Sequence, residues 1–186
     1  MAYHRALVTG ILPYKIAVLC YLFDEAGRVL LLHRRKAPNQ DLYSPIGGKL
    51  DMPMGESPTA WAVREIHEEA GIRVEASQLH LTGIVSEAGF ELQNHWLMFL
   101  YELTRPVQIA RMSFEEGRLE WHDLAGVESL AIPETDRQVI WPLFRTYRRQ
   151  FFAAHIDCRG GGLTWHLEQP PTGTGAVSGG LGLKTK

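Results

Sequence analysis

Residues 47–72, GGKLDMPMGESPTAWAVREIHEEAGI, set the terms for the rest of the chain. Ser57 is a good helix N-cap, and Pro58 stands at the first helical position, where its missing N–H costs nothing. Gly71 supplies the residue that closes a helix in the left-handed conformation. The spacing therefore predicts a helix over residues 58–70. Ala60, Val63 and Ile66 give it an apolar stripe, with Ala62 and Ala70 as small packing residues. On that helix Glu65, Glu68 and Glu69 fall at i, i+3 and i+4, which places three carboxylates on one face within a turn. An acidic run on a helix is ordinarily a solvated face. Here it follows a loop with Gly47, Gly48 and Gly55 that can bring backbone close to a ligand. A hard divalent cation would relieve the repulsion, and Mg²⁺ takes one or two carboxylates together with waters and substrate phosphates. The stretch points to a metal held for phosphate chemistry.

The flanking sequence predicts the scaffold. Residues 14–23 are a continuous apolar run of strand length, and 28–34 reads as the returning strand of a β-hairpin across a turn at 24–27. Residues 35–43 form a loop with turn chemistry at 38–41. Residues 78–87 and 95–104 read as strands, 111–117 as a polar loop, and 119–122 as a short strand. A helix is expected over 133–149, kinked at the interior Pro142. Residues 151–158 and 163–167 look like a closing hairpin across 159–162. Strands before and after a central helix, with a second helix late, predict an α/β fold with a mixed β-sheet between helices. At 186 residues one domain is expected. It divides into a lead-in at 1–13, the domain at 14–169, and a tail at 170–186 whose Gly, Pro and Thr content predicts disorder.

Composition narrows the partners. The formal net charge is −2 and the longest basic stretch is Arg34-Arg35-Lys36, so neither a nucleic-acid polymer nor an anionic membrane is called for. Cys20 and Cys158 form no C-x-x-C, and Cys20 lies in an apolar strand as expected of buried packing. No run approaches a membrane span and the N-terminus lacks a signal-peptide core, which points to a cytoplasmic protein. Trp96, Trp121 and Trp141 read as core. Trp61 shares a helical face with Glu65 and Glu68, where it either walls a site or packs beneath it. His155 and Asp157 alternate onto one face of a strand, with Cys158 on the other, and read as structural.

The stretch 47–72 resembles the Nudix box, G-x5-E-x7-R-E-U-x-E-E-x-G-U with U apolar. Glu56, seven intervening residues, and then Arg64-Glu65-Ile66-His67-Glu68-Glu69-Ala70-Gly71-Ile72 fit the second part position by position. The first part departs, because seven residues separate Gly48 from Glu56 where the pattern has five. The extra two most simply enlarge the loop around Asp51-Met52-Pro53-Met54. The resemblance implies the Nudix α/β/α sandwich over residues 14–150, with the closing hairpin as an addition. It implies Glu68 and Glu69 as principal metal ligands, and Glu65 as ligand, base or water-orienting group. A backbone carbonyl of Gly47 or Gly48 would complete the metal site. Glu56 would assist the metal-binding carboxylates and Arg64 would orient them by ion pairing. A loop glutamate often joins as ligand or general base. Glu116 is the best positional candidate, Glu115 the alternative, and Glu120 a third. The implied metal is Mg²⁺, with Mn²⁺ as a substitute.

For the substrate, the segments 33–39, 42–43 and 47–49 are similar to the nucleotide-sanitising branch that hydrolyses oxidised purine triphosphates such as 8-oxo-dGTP. On that likeness Arg34, Arg35 or Lys49 would meet phosphates, Tyr43 would stack near the base, and Glu134 or Asp136 would read it. The expected activity is Mg²⁺-dependent hydrolysis of a nucleoside triphosphate to monophosphate and diphosphate. An ADP-ribose or nucleotide-sugar diphosphatase is the second reading. A non-catalytic ligand-binding module is a third, against which stands the retention of Glu56, Glu65, Glu68 and Glu69. The partner implied is a small nucleotide. A homodimer is compatible with the sequence but not derivable from it.

Overall fold

A computed structural model describes residues 12–172 apart from 38, 92, 111 and 161. The lead-in before residue 12 and the tail expectation beyond residue 172 lie outside the described residues. Strand β1, Tyr14–Tyr21, is followed by β2, Val29–Arg34, and the short β3, Tyr43–Ser44. Helix α1 spans Pro58–Ala70. Strands β4, Leu79–Phe90, and β5, Asn94–Leu103, come next, then β6, Ser113–Phe114, and β7, Gly117–His122. A π-helical turn at Asp136–Ile140 runs into α2, Trp141–Thr146, and β8, Phe152–Asp157, and β9, Thr164–Gln169, close the chain.

The strands form two sheets. The larger has the order β1-β5-β4-β8-β9 and is mixed, with β1–β5 and β4–β8 parallel and the other pairs antiparallel. The smaller, β3-β2-β7-β6, is antiparallel. Both faces of β1 are buried, and the alternation of its side chains explains how. Val18, Cys20 and Leu22 join Trp61, Ala62 and Ile66 of α1, whereas Ala17, Tyr21 and Phe23 join Trp141 and Phe144 of α2. This is the α/β/α arrangement. On the α2 side, Tyr21 stacks on Phe144 at 3.9 Å between centroids and meets Trp141 edge-on at 5.0 Å. Such pairs contribute about 0.5–1.5 kcal/mol each beyond their buried area.

Three expectations need correction. The first two strands do not form a hairpin. They touch at the turn, through a Phe23–Val29 bridge and a Leu30 N–H bond to Leu22 O at 2.9 Å, and then enter different sheets. Two-sided apolar strands carry no mark of which neighbour they pair with. The polar loop at 111–117 contains β6, so Glu115 and Glu116 sit on the tight β6–β7 turn. The second helical stretch covers 134–146 and stops short of 149. Its interior Pro142 has no N–H to donate. The preceding backbone widens to a π turn in which the Trp141 N–H reaches Asp136 O.

Helix α1 begins and ends where its residues dictate. Ser57 Oγ accepts from the Ala60 N–H at 3.2 Å, and Gly71 closes the helix at φ 72°. Its buried face, however, is Trp61, Ala62, Ile66, Glu69 and Ala70, while Ala60 is exposed. A glutamate therefore occupies a core-facing position. The closing hairpin forms as expected, β8 adding to β4 and β9 to β8.

Candidate functional site

The three α1 carboxylates have unequal surroundings. Glu69 is 4% exposed, packed beneath the glycine loop, and its Oε2 accepts the Gly47 N–H at 2.9 Å. The Glu65 side chain is 12% exposed, and that of Glu68 is 52% exposed. Arg64 binds across the group, with Nε 3.2 Å from Glu56, Nη1 2.8 Å from Glu68 and Nη2 3.8 Å from Glu65. Its guanidinium lies 4.0 Å over the Trp61 ring, whose own indole is buried. Trp61 thus packs beneath the site and supports the arginine that holds the carboxylates.

The glycine loop runs beside β1 like a partial strand. The Cys20 N–H bonds Ile46 O at 2.7 Å, the Val18 N–H bonds Gly48 O at 3.0 Å, and the Leu50 N–H bonds Ile16 O at 2.8 Å. This leaves the intervening Gly47 N–H turned towards Glu69. A Cβ on Gly48 would lie 2.9 Å from Glu65 Oε1, so backbone and carboxylate meet only because position 48 has no side chain. The enlarged segment before Glu56 folds into a 3₁₀ turn at Met52–Met54 and leaves the helix register untouched.

Burial, reinforced by the Glu68 and Glu116 charges against the opposing Arg64, raises the Glu65 carboxyl to about 7. Burial, with the Glu65 and Glu116 charges and against the Gly47 N–H, raises Glu69 to about 8. Among the described residues no three His, Cys, Asp or Glu side chains converge as a ready ligand set, because Glu56 and Glu68 are drawn onto Arg64. The donors still suit a hard cation. All are oxygens, and two adjacent carboxyls that resist ionisation are an arrangement that divalent positive charge relieves.

A testable consequence is a stability profile with an unusual sign. Glu65 and Glu69 hold protons in the folded state to about pH 7 and 8, well above the ordinary carboxylate range. The folded chain then binds more protons than the unfolded chain between about pH 4.5 and 8, so metal-free stability falls as pH rises through that window. Holding a carboxyl proton through one further pH unit is worth about 1.4 kcal/mol, so the expected loss is on the order of several kcal/mol. Urea unfolding in chelator at pH 5.5 and 8.5 measures it. Added divalent metal should restore more stability at 8.5 than at 5.5, and a metal-free curve that rises with pH contradicts the assignment.

A cleft of about 430 Å³ opens between the glycine loop, β1, β2, the β6–β7 turn, β4, β5 and the start of the second helical stretch. Glu65, Gly47, Gly48, Lys49, Arg34 and Glu116 line one region of it, and Glu87, Thr135 and Asp136 another, with Leu19, Phe90, Trp96 and Met98 also in the wall. Glu116 faces Glu65 and Glu69 closely enough to raise both, and lies 3.8 Å from Arg34. Glu115 points outward onto Lys36, and Glu120 is taken by Tyr43 at 3.2 Å and Arg118 at 2.8 Å. Gly117 lets the turn lie close, since a Cβ there would be 2.2 Å from His33 O. Lys49 lines the cleft, and its ammonium is pushed down first by burial and then by Lys15 and Arg34.

Other candidates lie elsewhere. Arg35 is exposed and not part of the lining. Tyr43 is not in the lining either. Its ring stacks on His33 at 4.5 Å and meets His122 edge-on, so it does not offer a free stacking face. Glu134 is outside the cleft, paired to Arg137 at 3.3 Å, whereas Asp136 is inside it and 9% exposed. Trp96 departs from the core expectation. It is half-buried in the cleft wall, with Lys15 Nζ 5.5 Å and Lys49 Nζ 6.0 Å from its ring centroid. Glu87 was not anticipated as a site residue. A lone glutamate in a strand carries no signal until the strands pair.

Comparison with known proteins follows the same architecture. A family model described as NUDIX domain matches residues 13–143. The chain is 30% identical over 115 residues to the uncharacterized Nudix hydrolase YvcI of Bacillus subtilis (strain 168), covering 61% of this chain and 69% of that protein. Among solved structures, a mutator MutT protein from Bacillus halodurans superposes with a TM-score of 0.66 at 24% identity, over 84% of this chain and 99% of that one. The NUDIX domain of Shewanella oneidensis NrtR, solved complexed with ADP ribose, superposes with a TM-score of 0.59 at 16% identity, over 78% and 92%.

Proposed function

Because the chain belongs to the Nudix hydrolase family, whose members hydrolyse nucleoside diphosphate derivatives and generally use divalent metal ions, we propose that it is a Mg²⁺-dependent nucleoside triphosphate pyrophosphohydrolase. The observation that carries this reading is a single cleft lined both by the polar set Glu65, Gly47, Gly48 and Glu116 and by the aromatic and apolar residues Trp96, Phe90 and Met98. That suits a ligand with a phosphate chain at one end and a base at the other.

Glu69, Glu65 and Glu68 would hold the metal, with Glu56 supporting and a carbonyl of Gly47 or Gly48 nearby. When bound, divalent metal supplies charge neutralisation at the phosphoryl oxygens and lowers the pKa of water. The chain's own groups do the rest. Gly47 fixes Glu69, and Arg64 fixes Glu56 and Glu68. Arg34 and Lys49 meet phosphate oxygens from the cleft wall. A water oxygen bonds to phosphorus in line as the bridging P–O bond breaks. Its proton passes to a carboxylate, Glu65 or Glu116, and the leaving phosphate takes the electron pair. Without metal, burial raises the Glu65 carboxyl to about 7; a divalent cation beside it would favour the ionised form, which is the form that accepts a proton.

The test is a substrate panel with Mg²⁺ or Mn²⁺: ordinary and oxidised purine triphosphates, pyrimidine triphosphates, ADP-ribose and nucleotide sugars. Monophosphate plus diphosphate from a triphosphate is the expected outcome, with kcat/KM at least about tenfold above that for ADP-ribose. A tenfold preference for ADP-ribose or a nucleotide sugar replaces the substrate claim. No turnover of any member defeats the enzymatic reading of this chain.

A further inference from the structure

The closing hairpin lies beyond the residues matched by the family model, yet it carries side chains of the metal-ligating kind. Its two strands place His155 of β8 and His166 of β9 directly opposite one another. The ring centroids are 5.6 Å apart and the ring planes are inclined by 56°. Ser86 of β4 stands level with His155 on the other side, and its Oγ is 2.7 Å from His155 Nδ1. Three adjacent strands thus contribute one row of polar side chains.

The row is on the back of the cleft. Ala154 and Ile156, on either side of His155, are buried in the core beside α2, so His155 points from the opposite face of the sheet. Ser86 likewise alternates with Glu87, which lines the cleft. On this face His155 is half-buried and His166 is exposed. Among the described residues neither ring is ion-paired. Asp157, two residues along the same face, is held by Arg159 at 2.7 and 3.0 Å.

An ion bound to one nitrogen of each ring at about 2.0–2.1 Å would lie about 3.2 Å from each ring centre, which puts the two centres about 5–6 Å apart at a near-tetrahedral angle. The observed spacing falls in that range. The contact with Ser86 adds a second feature of a ligating histidine. Such an imidazole commonly donates its other ring N–H to an oxygen, which fixes its tautomer and orientation. With the Nδ1–H donated to Ser86 Oγ, the Nε2 lone pair is left for a metal. Imidazole nitrogen suits Zn²⁺ and neighbouring transition metals, whereas Mg²⁺ takes oxygen ligands. The pair therefore selects against the cation expected at α1. With Asp157 engaged by Arg159, the protein offers two ligands here and water fills the remaining positions.

We propose that His155 and His166 form a transition-metal site for Zn²⁺ or a divalent ion of the same class, with Ser86 as a positioning residue. Bound metal would link β9 to β8 and, through Ser86, brace β4 behind the cleft. The site is separate from the carboxylates of α1 and does not depend on the hydrolytic reading.

The test follows the imidazole ¹⁵N signals of all eight histidines by NMR as Zn²⁺ is added to the full chain. Excess Mg²⁺ is present throughout to compete for carboxylate sites. The His155 and His166 signals should move together and saturate at one Zn²⁺ per chain. Losing an outer partner of a ligating histidine costs about tenfold or more in affinity, so Ser86→Ala should weaken binding by about tenfold and Ser86→Thr should restore it. His166→Gln removes a ligand from an exposed position and should weaken binding further, by at least about thirtyfold. Signals of His155 and His166 that stay in place, or that move independently of one another, overturn the proposal, as does an affinity unchanged by His166→Gln. An affinity unchanged by Ser86→Ala strikes out the role given to Ser86.

Discussion

Glu69→Gln should abolish metal-dependent turnover while leaving the fold intact, with kcat/KM down by about a thousandfold or more. The substitution removes one ionisable group from the most buried of the α1 carboxyls and keeps an acceptor for the Gly47 N–H. Charge stabilisation by bound metal is worth several kcal/mol in the transition state, and about 4 kcal/mol is a factor of a thousand. The same change should make the metal-free chain more stable above pH 8, because a neutral amide replaces a carboxyl that ionises there at a cost. Two readouts thus move in opposite directions, which a merely damaged fold does not produce. Glu68→Gln should also suppress turnover, with little effect on metal-free stability, since that side chain is half exposed and held by Arg64. If Glu69→Gln keeps more than about a tenth of the activity, its place among the metal ligands is wrong.

Gly47→Ala should be the most disruptive single-methyl change near the site. A Cβ at this position would lie 2.2 Å from Val18 O, and the backbone there has φ +134°, which L side chains rarely adopt. The neighbouring hydrogen bonds from Cys20 and Val18 pin the loop on both sides, so it cannot simply step away. Strain of this kind costs about 1–3 kcal/mol, and the clash with backbone adds to it. About 3 kcal/mol or more is expected, a fall in Tm of roughly 6–12 °C for a chain of this size. Displacing the loop also takes the Gly47 N–H away from Glu69, so activity should fall beyond what lost stability explains. A Tm within about 2 °C of the parent chain, with activity retained, would show that the loop yields freely.

Much of the site was legible because its signals are local. The cap at Ser57, the stop at Gly71 and the spacing from Glu56 to Glu69 each concern residues within a few helical turns, where backbone geometry dictates which side chains meet. Arg64 could be matched to its carboxylates for the same reason, and the hairpin of β8 and β9 announced itself through alternation across a glycine turn. Glu116 was a positional guess among three glutamates. The geometry separates them, because the tight β6–β7 turn aims Glu115 outward onto Lys36 and Glu116 into the cleft.

The rest depended on partners far apart in the chain. β1 and β2 are apolar on both faces, so nothing in their residues said that they would part into two sheets. Glu69 read as one of three carboxylates sharing a helix face, and its burial, unlike the exposure of Glu68, follows from how α1 docks against β1. Tyr43 suggested a base platform until His33 and Glu120 claimed its ring and hydroxyl. Ser86, His155 and His166 meet only after β8 pairs with β4 and β9 with β8. Residue order settled the acidic helix and its family, because periodicity and capping act over single turns. Sheet register and docking settled which carboxyls are buried and what the far end of the cleft presents, because those depend on long-range pairing that local periodicity does not encode.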